Sequence, residues 1–328
     1  MRSVLRLLPL AVYGIVASLA WRSHGVPLLG DRLWPWLLGL LLALSITDLP
    51  RFLRGLFVDW LPFIGALILY DLLRGIADGQ VLPAHAHPQM WVDKYLFGFG
   101  TVPTVFLQRH LWDPARLHWY DYATWFVYTS YFFVMPLVAV ALWLWAPERF
   151  RRYALLVVAV AFAAMATYVV YPAMPPWLAS DTHVLPPLAR IIGVVSGHLP
   201  YVDGRALFEH GTHWANDIAS VPSLHESLTL LVSITLWPLA GRIGRILLVL
   251  YPLAMAFALV YSAEHYVIEV VLGCVYTVAV IAAVNRAQAW WERRGAGVVT
   301  AAPMPRVQLP AEREAYAFAS SGEPSRQR

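Results

Sequence analysis

Eight blocks of apolar residues, each near twenty long, run through this chain. They cover roughly 5–21, 33–49, 56–73, 121–145, 153–171, 222–240, 243–262 and 266–285. A helix needs about 20 residues to cross the hydrocarbon core of a bilayer. Backbone amides find no water there, so only helices and closed barrels can span it. The alternating pattern of an outer-membrane barrel is absent, which leaves helices. The sequence predicts an all-α polytopic membrane bundle of about eight transmembrane helices. Composition agrees: 13% of the 328 residues are charged and 59% are hydrophobic, against ~25% charge in a soluble domain.

The charges between the blocks fix an orientation. Alternate gaps hold Arg2 and Arg6; Arg51 and Arg54; Arg149, Arg151 and Arg152; Arg242 and Arg245; Arg286, Arg293 and Arg294. These gaps are short and densely basic. The other set includes the long connections 74–120 and 172–221, where acidic and basic residues mix. Cytoplasmic loops carry the arginine excess, so both termini are expected in the cytoplasm of a bacterial plasma membrane. Ser18-Leu19-Ala20 has the look of a signal-peptidase site, but Trp21 and Arg22 read better as the interfacial anchor of an uncleaved first span.

Three regions are expected. Residues 1–150 hold the N-terminal spans and an outer amphipathic segment, Tyr95 to Leu111, with Pro103 inside it. Residues 151–290 form the catalytic core, with an outer cap over 172–221. Residues 291–328 are a polar, disordered cytoplasmic tail. The net charge of +4 sits in short loops and does not point to nucleic acid. One cysteine, Cys274, builds neither a disulfide framework nor a thiolate metal site.

Chemistry concentrates at one end of two spans. His225 opens the sixth span and His265 the eighth, both on the outer side of the bilayer. Ionisable residues inside a membrane are costly and tend to serve function. His265 and Glu269 are four residues apart, so the carboxylate can hold one ring nitrogen and leave the other as nucleophile or base. Around His225, Ser220 is the expected N-cap and Pro222 a first-turn residue. The opening turn of such a helix suits a phosphate, with His225 placed as proton donor.

The run Ser220-Val221-Pro222-Ser223-Leu224-His225, followed by Glu264-His265-Tyr266-Val267-Ile268-Glu269, resembles the second and third signature blocks of the type-2 phosphatidic acid phosphatase superfamily. The branch it looks most like contains fungal inositol phosphorylceramide synthase and its bacterial relatives. Tyr171-Pro172-Ala173-Met174-Pro175-Pro176-Trp177 resembles that branch's proline-rich segment. The resemblance implies a phosphatidic acid phosphatase type-2-like core acting on a lipid substrate without a cofactor. It also implies that His265 attacks phosphorus and becomes a phosphohistidine, that Glu269 orients it, and that His225 protonates the leaving alkoxide.

The chain departs from the family in several places. Glu269 stands where the family usually has aspartate, and Leu259 where the phosphatase branch has an arginine. The basic first block is missing, and Glu226 follows His225. Phosphate then needs other cations, for which Arg74, Arg190 and Arg205 are candidates. Ser223 and Tyr266, within the two blocks, are further candidate substrate contacts. A phosphodiester carries less charge than a phosphomonoester and needs fewer cations, which favours head-group transfer. A lipid phosphate phosphatase, acting on phosphatidate or a polyprenyl pyrophosphate, remains the alternative, as does an inactive relative serving as scaffold or transporter. His210, His213 and Asp217, or His85, His87 and Asp93, have ligand-like spacing, but three convergent ligands are needed for a metal, and none is expected.

Overall fold

The computed structural model describes residues 2–24, 30–76, 82–98, 100–199 and 216–294. The chain divides into two units, 1–285 and 286–328. Among the described residues of the first, structure is helical apart from two isolated bridges, His85 with Ala173 and Ala173 with Ala219. The helices are α1 (Arg2–His24), α2 (Gly30–Ser45), α3 (Leu49–Gly55), α4 (Leu61–Ile76), α5 (His87–Val92), α6 (Pro103–Leu111), α7 (Trp119–Trp145), α8 (Pro147–Val170), α9 (Pro176–Asp181), α10 (Ile191–His198), α11 (Leu224–Leu236), α12 (Arg242–Tyr261) and α13 (Val267–Arg293).

Among the described residues, five helical stretches are long and apolar enough to cross a membrane: Leu49–Gly75, Trp119–Trp145, Pro147–Val170, Arg242–Tyr261 and Val267–Arg293. The first joins α3 to α4 through a π-helical turn, Leu56–Trp60. Shorter apolar helices, Leu8–Ser23, Trp34–Ser45 and Leu224–Leu239, fall on the other three predicted blocks. The protein is an all-α integral membrane protein.

The largest buried cluster lies where α4, α7, α8 and α11 meet. Trp60 and Phe150 face each other there with centroids 5.0 Å apart. Small residues let the helices of α8 close in, since Ala161 and Ala164 are almost fully buried. At the other contact important for the site, α11 meets α13 at Gly273. A Cβ on Gly273 would lie 2.5 Å from the Ser223 carbonyl oxygen. The Ser227 hydroxyl donates to the Gly273 carbonyl at 3.0 Å, and that of Thr277 to the Ser227 carbonyl at 2.9 Å.

Two local expectations change. Pro103 does not sit inside an amphipathic helix; it opens α6, which is where a residue without an N–H is tolerated. The sequence before it forms α5 and a π-turn, Asp93–Phe97. Ser220 is not the cap of the sixth span either. The helix starts at Leu224, and the Ser223 hydroxyl accepts from the Glu226 N–H at 3.4 Å.

The described part of the connection 172–221 docks on the helices. Gln108 of α6 pins it from both sides: its amide donates to the carbonyls of Ala189 and Tyr261 at 2.8 and 2.9 Å, and its oxygen accepts from Ala189 N–H. Trp125 Nε1 donates to the Ser196 hydroxyl at 2.8 Å.

Candidate active site

The turn between α12 and α13 delivers His265. Ala263 there adopts a left-handed φ of 64°, a conformation costing a non-glycine residue about 1–2 kcal/mol. The turn is held on both sides. Trp177 N–H donates to the Ala263 carbonyl at 3.0 Å, and Glu264 and His265 N–H both reach the Leu259 carbonyl. Leu259 thus serves the turn through its backbone.

Asp93 then caps α13 from 174 residues away in sequence. Its carboxylate accepts Val267 N–H at 2.8 Å and Ile268 N–H at 2.9 Å. Burial pushes the Asp93 carboxyl up to about 6, while the two backbone N–H bonds pull it down.

Glu269 lies one turn into α13 and is wholly buried. Its Oε2 gathers three donors: His265 Nδ1–H at 2.9 Å, the Ser220 hydroxyl at 2.5 Å and Tyr266 N–H at 3.1 Å. Ser220 Oγ is also 3.3 Å from His265 Nδ1. Donors converging on a carboxylate are the strong kind of hydrogen bond. They fix the His265 tautomer, proton on Nδ1, and leave the Nε2 lone pair for chemistry.

His225 sits across from this group, with its ring centroid 6.1 Å from that of His265. Two tyrosines one turn apart on α7 hold it: Tyr128 at 4.6 Å and Tyr131 at 4.2 Å, with Phe132 edge-on at 5.8 Å. Its Nε2 is buried and has no hydrogen-bond partner. The ring is therefore positioned by stacking, in contrast to His265, which is positioned by hydrogen bonds.

The candidate cations divide. Arg190 sits over the Trp177 ring, 4.2 Å from its centroid, and forks onto Glu264 at 2.8 and 3.1 Å. Burial works against its charge, but Glu264 beside it outweighs that and holds its pKa above the ordinary value. Arg74 pairs with Asp71 at 3.6 Å and leans over Tyr70. It lies within electrostatic reach of His225, and both arginines within reach of Tyr128. Arg205 lies outside the described residues.

Ser223 and Tyr266 are fully buried. The hydroxyl of Ser223 caps α11, and its N–H donates to the Glu269 carbonyl at 3.0 Å. The Tyr266 ring packs among Val102, Val105, Ala179 and Leu185. Both meet the site through structure: the first ties α11 to α13, the second lends its N–H to Glu269. Glu226 packs against α13, where Cys274 Sγ donates to it at 3.6 Å.

No cluster of metal-binding side chains occurs among the described residues. His85 stacks on Tyr171 and Asp93 is engaged with α13. His210 and His213 lie outside the described residues.

Sequence reasoning missed Ser220 as a carboxylate donor, the Tyr128 and Tyr131 stack, the Glu264 partner of Arg190, and the Asp93 cap. The spacing of Tyr128 and Tyr131 is the one usable signal, since it puts both rings on one helical face.

A buried histidine held by a carboxylate thus faces a second histidine within a bundle of apolar helices. The chain belongs to the PAP2 superfamily, whose sequence profile matches residues 107–283. It is 28% identical over 247 residues to phosphoinositol dihydroceramide synthase of Bacteroides thetaiotaomicron, an alignment covering 71% of this chain and 77% of that one. No solved structure matches it significantly. The protein is accordingly a membrane enzyme of lipid metabolism, a phospholipid head-group transferase or lipid phosphatase.

Proposed function

We propose that this enzyme transfers a phosphorylated polyol head group, of the phosphoinositol kind, from a glycerophospholipid to the hydroxyl of a ceramide-type lipid. His265 Nε2 attacks phosphorus, the bond from phosphorus to the diacylglycerol oxygen breaks, and His225 gives that oxygen its proton. The head group rests on His265 as a phosphohistidine. The acceptor hydroxyl then loses its proton to His225 and attacks phosphorus, and the P–N bond breaks. His225 ends as it began, protonated, so the cycle balances.

The observation that carries this reading is the pairing of the two rings at 6.1 Å around an oriented Nε2. Attack needs about 3–3.5 Å between reacting atoms, and proton transfer about 2.6–3.2 Å. Rings so spaced place both imidazoles within a few ångströms of one phosphorus and its leaving oxygen. Glu269, held by the Ser220 hydroxyl and the Tyr266 N–H, stabilises the positive charge that develops on the His265 ring. Arg190 and Arg74 supply charge to the phosphate. The name of the relative supports the polyol and the ceramide acceptor.

The active site faces the extracytoplasmic leaflet, with both termini in the cytoplasm. The last five spans, together with the cap over 172–221, form the catalytic core.

The test is an assay of the purified protein with phosphatidylinositol and a fluorescent dihydroceramide in mixed micelles. Appearance of a phosphoinositol-dihydroceramide product supports transfer. Release of inositol phosphate to water, with no lipid product, would make it a hydrolase. Acid-quench detection of a phosphohistidine, lost in His265→Ala, reports the intermediate.

A further inference from the structure

The end of the bundle away from the histidines carries a second feature. Beneath the loop joining α11 to α12 lies an open groove of about 610 Å³. Its polar end is made by Arg242, Arg245 and Trp237, and its wall by Ile246, Val249 and Leu250. Positions 242, 245, 246, 249 and 250 recur every three or four residues, so they share one face of α12. The face is polar for one turn and apolar for the next.

Arg242 and Arg245 are exposed and form no ion pair among the described residues. Arg245 leans on the Trp237 ring, 5.5 Å from its centroid. Ile246, Val249 and Leu250 are each roughly half exposed. From Leu224 to Leu239 the chain rises about 20 Å, so the groove and the histidines cannot serve one head group.

We infer that this groove is a binding site for an anionic glycerophospholipid, separate from the catalytic site. Two guanidinium groups side by side match a phosphate, which they can fork onto. The apolar stripe below them matches an acyl chain. The net positive charge selects a lipid of net negative charge over a zwitterionic one, and the apolar wall selects a lipid over free phosphate. Trp237 sits at the level where amphipathic rings meet head groups. The bound lipid clamps the junction of α11 and α12, the helix pair that carries His225 at its far end.

The experiment is native mass spectrometry of the full-length protein released from detergent, titrated with phosphatidylglycerol and, separately, phosphatidylcholine. The expected result is one phosphatidylglycerol retained in preference to phosphatidylcholine. The double variant Arg242→Gln/Arg245→Gln should weaken that retention roughly thirtyfold, as loss of two surface cations facing an anionic lipid implies. Arg51→Gln/Arg54→Gln removes the same charge elsewhere and should leave it unchanged. If the first double variant does not purify, Ile246→Trp decides: it keeps both arginines, fills the groove, and should abolish retention. Equal retention of the two lipids by the parent protein, or unchanged retention in the groove variants, overturns the assignment.

Discussion

Each histidine of the pair is held by a different force, and substitutions should separate the two. His265 depends on the carboxylate of Glu269. Glu269→Gln keeps the shape but gives up the charge that fixes the tautomer and steadies the imidazolium, so kcat should fall by ~10²–10⁴. Glu269→Asp restores the residue more usual in the family, yet withdraws the carboxylate by about one bond from Nδ1 and Ser220; misplacement of that size costs about a hundredfold. Full activity in the aspartate variant would mean that the present reach of Glu269 is unimportant. His225 depends on stacking. Aromatic contacts of this kind are worth about 0.5–1.5 kcal/mol, so Tyr131→Leu should lower kcat several-fold while Tyr131→Phe retains it. A Phe variant as impaired as the Leu variant would show that the hydroxyl matters and the stack does not. At this scale, the sequence disclosed His265, Glu269 and His225, because ionisable groups in apolar blocks stand out. Ser220 was visible but misassigned: three residues on, Ser223 fits the same local rule for a cap, and only the approach of α13 decides between them. Glu264 and Arg190 lie 74 residues apart, and no local pattern links them.

The elements matter because they bring three separate segments to one point. Gly273 is where α11 and α13 touch, and the 2.5 Å approach to the Ser223 carbonyl leaves no room for a methyl group. Gly273→Ala must push the helices apart, carrying Ser223 and His225 away from Glu269. Overpacking of this kind costs typically 1–3 kcal/mol. A lowered melting temperature in detergent together with a reduced kcat is the expected outcome; unchanged values for both would show that the contact yields easily. The start of α13 offers a pH test. The Asp93 carboxyl moves from 3.8 unfolded to about 6 folded, raised by burial against the pull of its two N–H bonds. The folded state therefore holds this proton more tightly. Its contribution to stability is complete below pH 4 and is lost as pH rises through about 6, by up to about 3 kcal/mol. Melting temperatures between pH 4 and 7 should fall more steeply for the parent protein than for Asp93→Asn. Parallel slopes in the two proteins would refute it. The apolar blocks announced the long helices because length and hydropathy alone decide them. The Asp93 cap was hidden because it is a contact between distant segments, and α6 was misplaced because proline in an apolar run reads equally as a break or as a beginning.

At the scale of the whole molecule, the arginines supply the argument for which way the site faces. Three of the five short, basic gaps open apolar helices: Arg51 and Arg54 at the start of Leu49–Gly75, Arg149 to Arg152 at the start of Pro147–Val170, and Arg242 and Arg245 at the start of Arg242–Tyr261. His225 and His265 fall at the other end, beside the cap segment. Arginine-rich loops stay in the cytoplasm, so the histidines should meet lipids of the outer leaflet. The chain also offers an internal check, because α11 runs from His225 towards the basic end and α12 returns from it to the His265 turn. Reversal of the whole protein would therefore move both histidines together, and no partial inversion would leave the pair intact. Fusions after residue 294 and within the connection 200–215 report the two sides independently. A fluorescent protein after 294 should fluoresce, and alkaline phosphatase inserted within 200–215 should be active, since each reporter matures on one side of the membrane only. The converse pattern would place the histidines in the cytoplasmic leaflet and require the donor lipid to be supplied from inside the cell, although the chemistry between the two rings would stand unchanged.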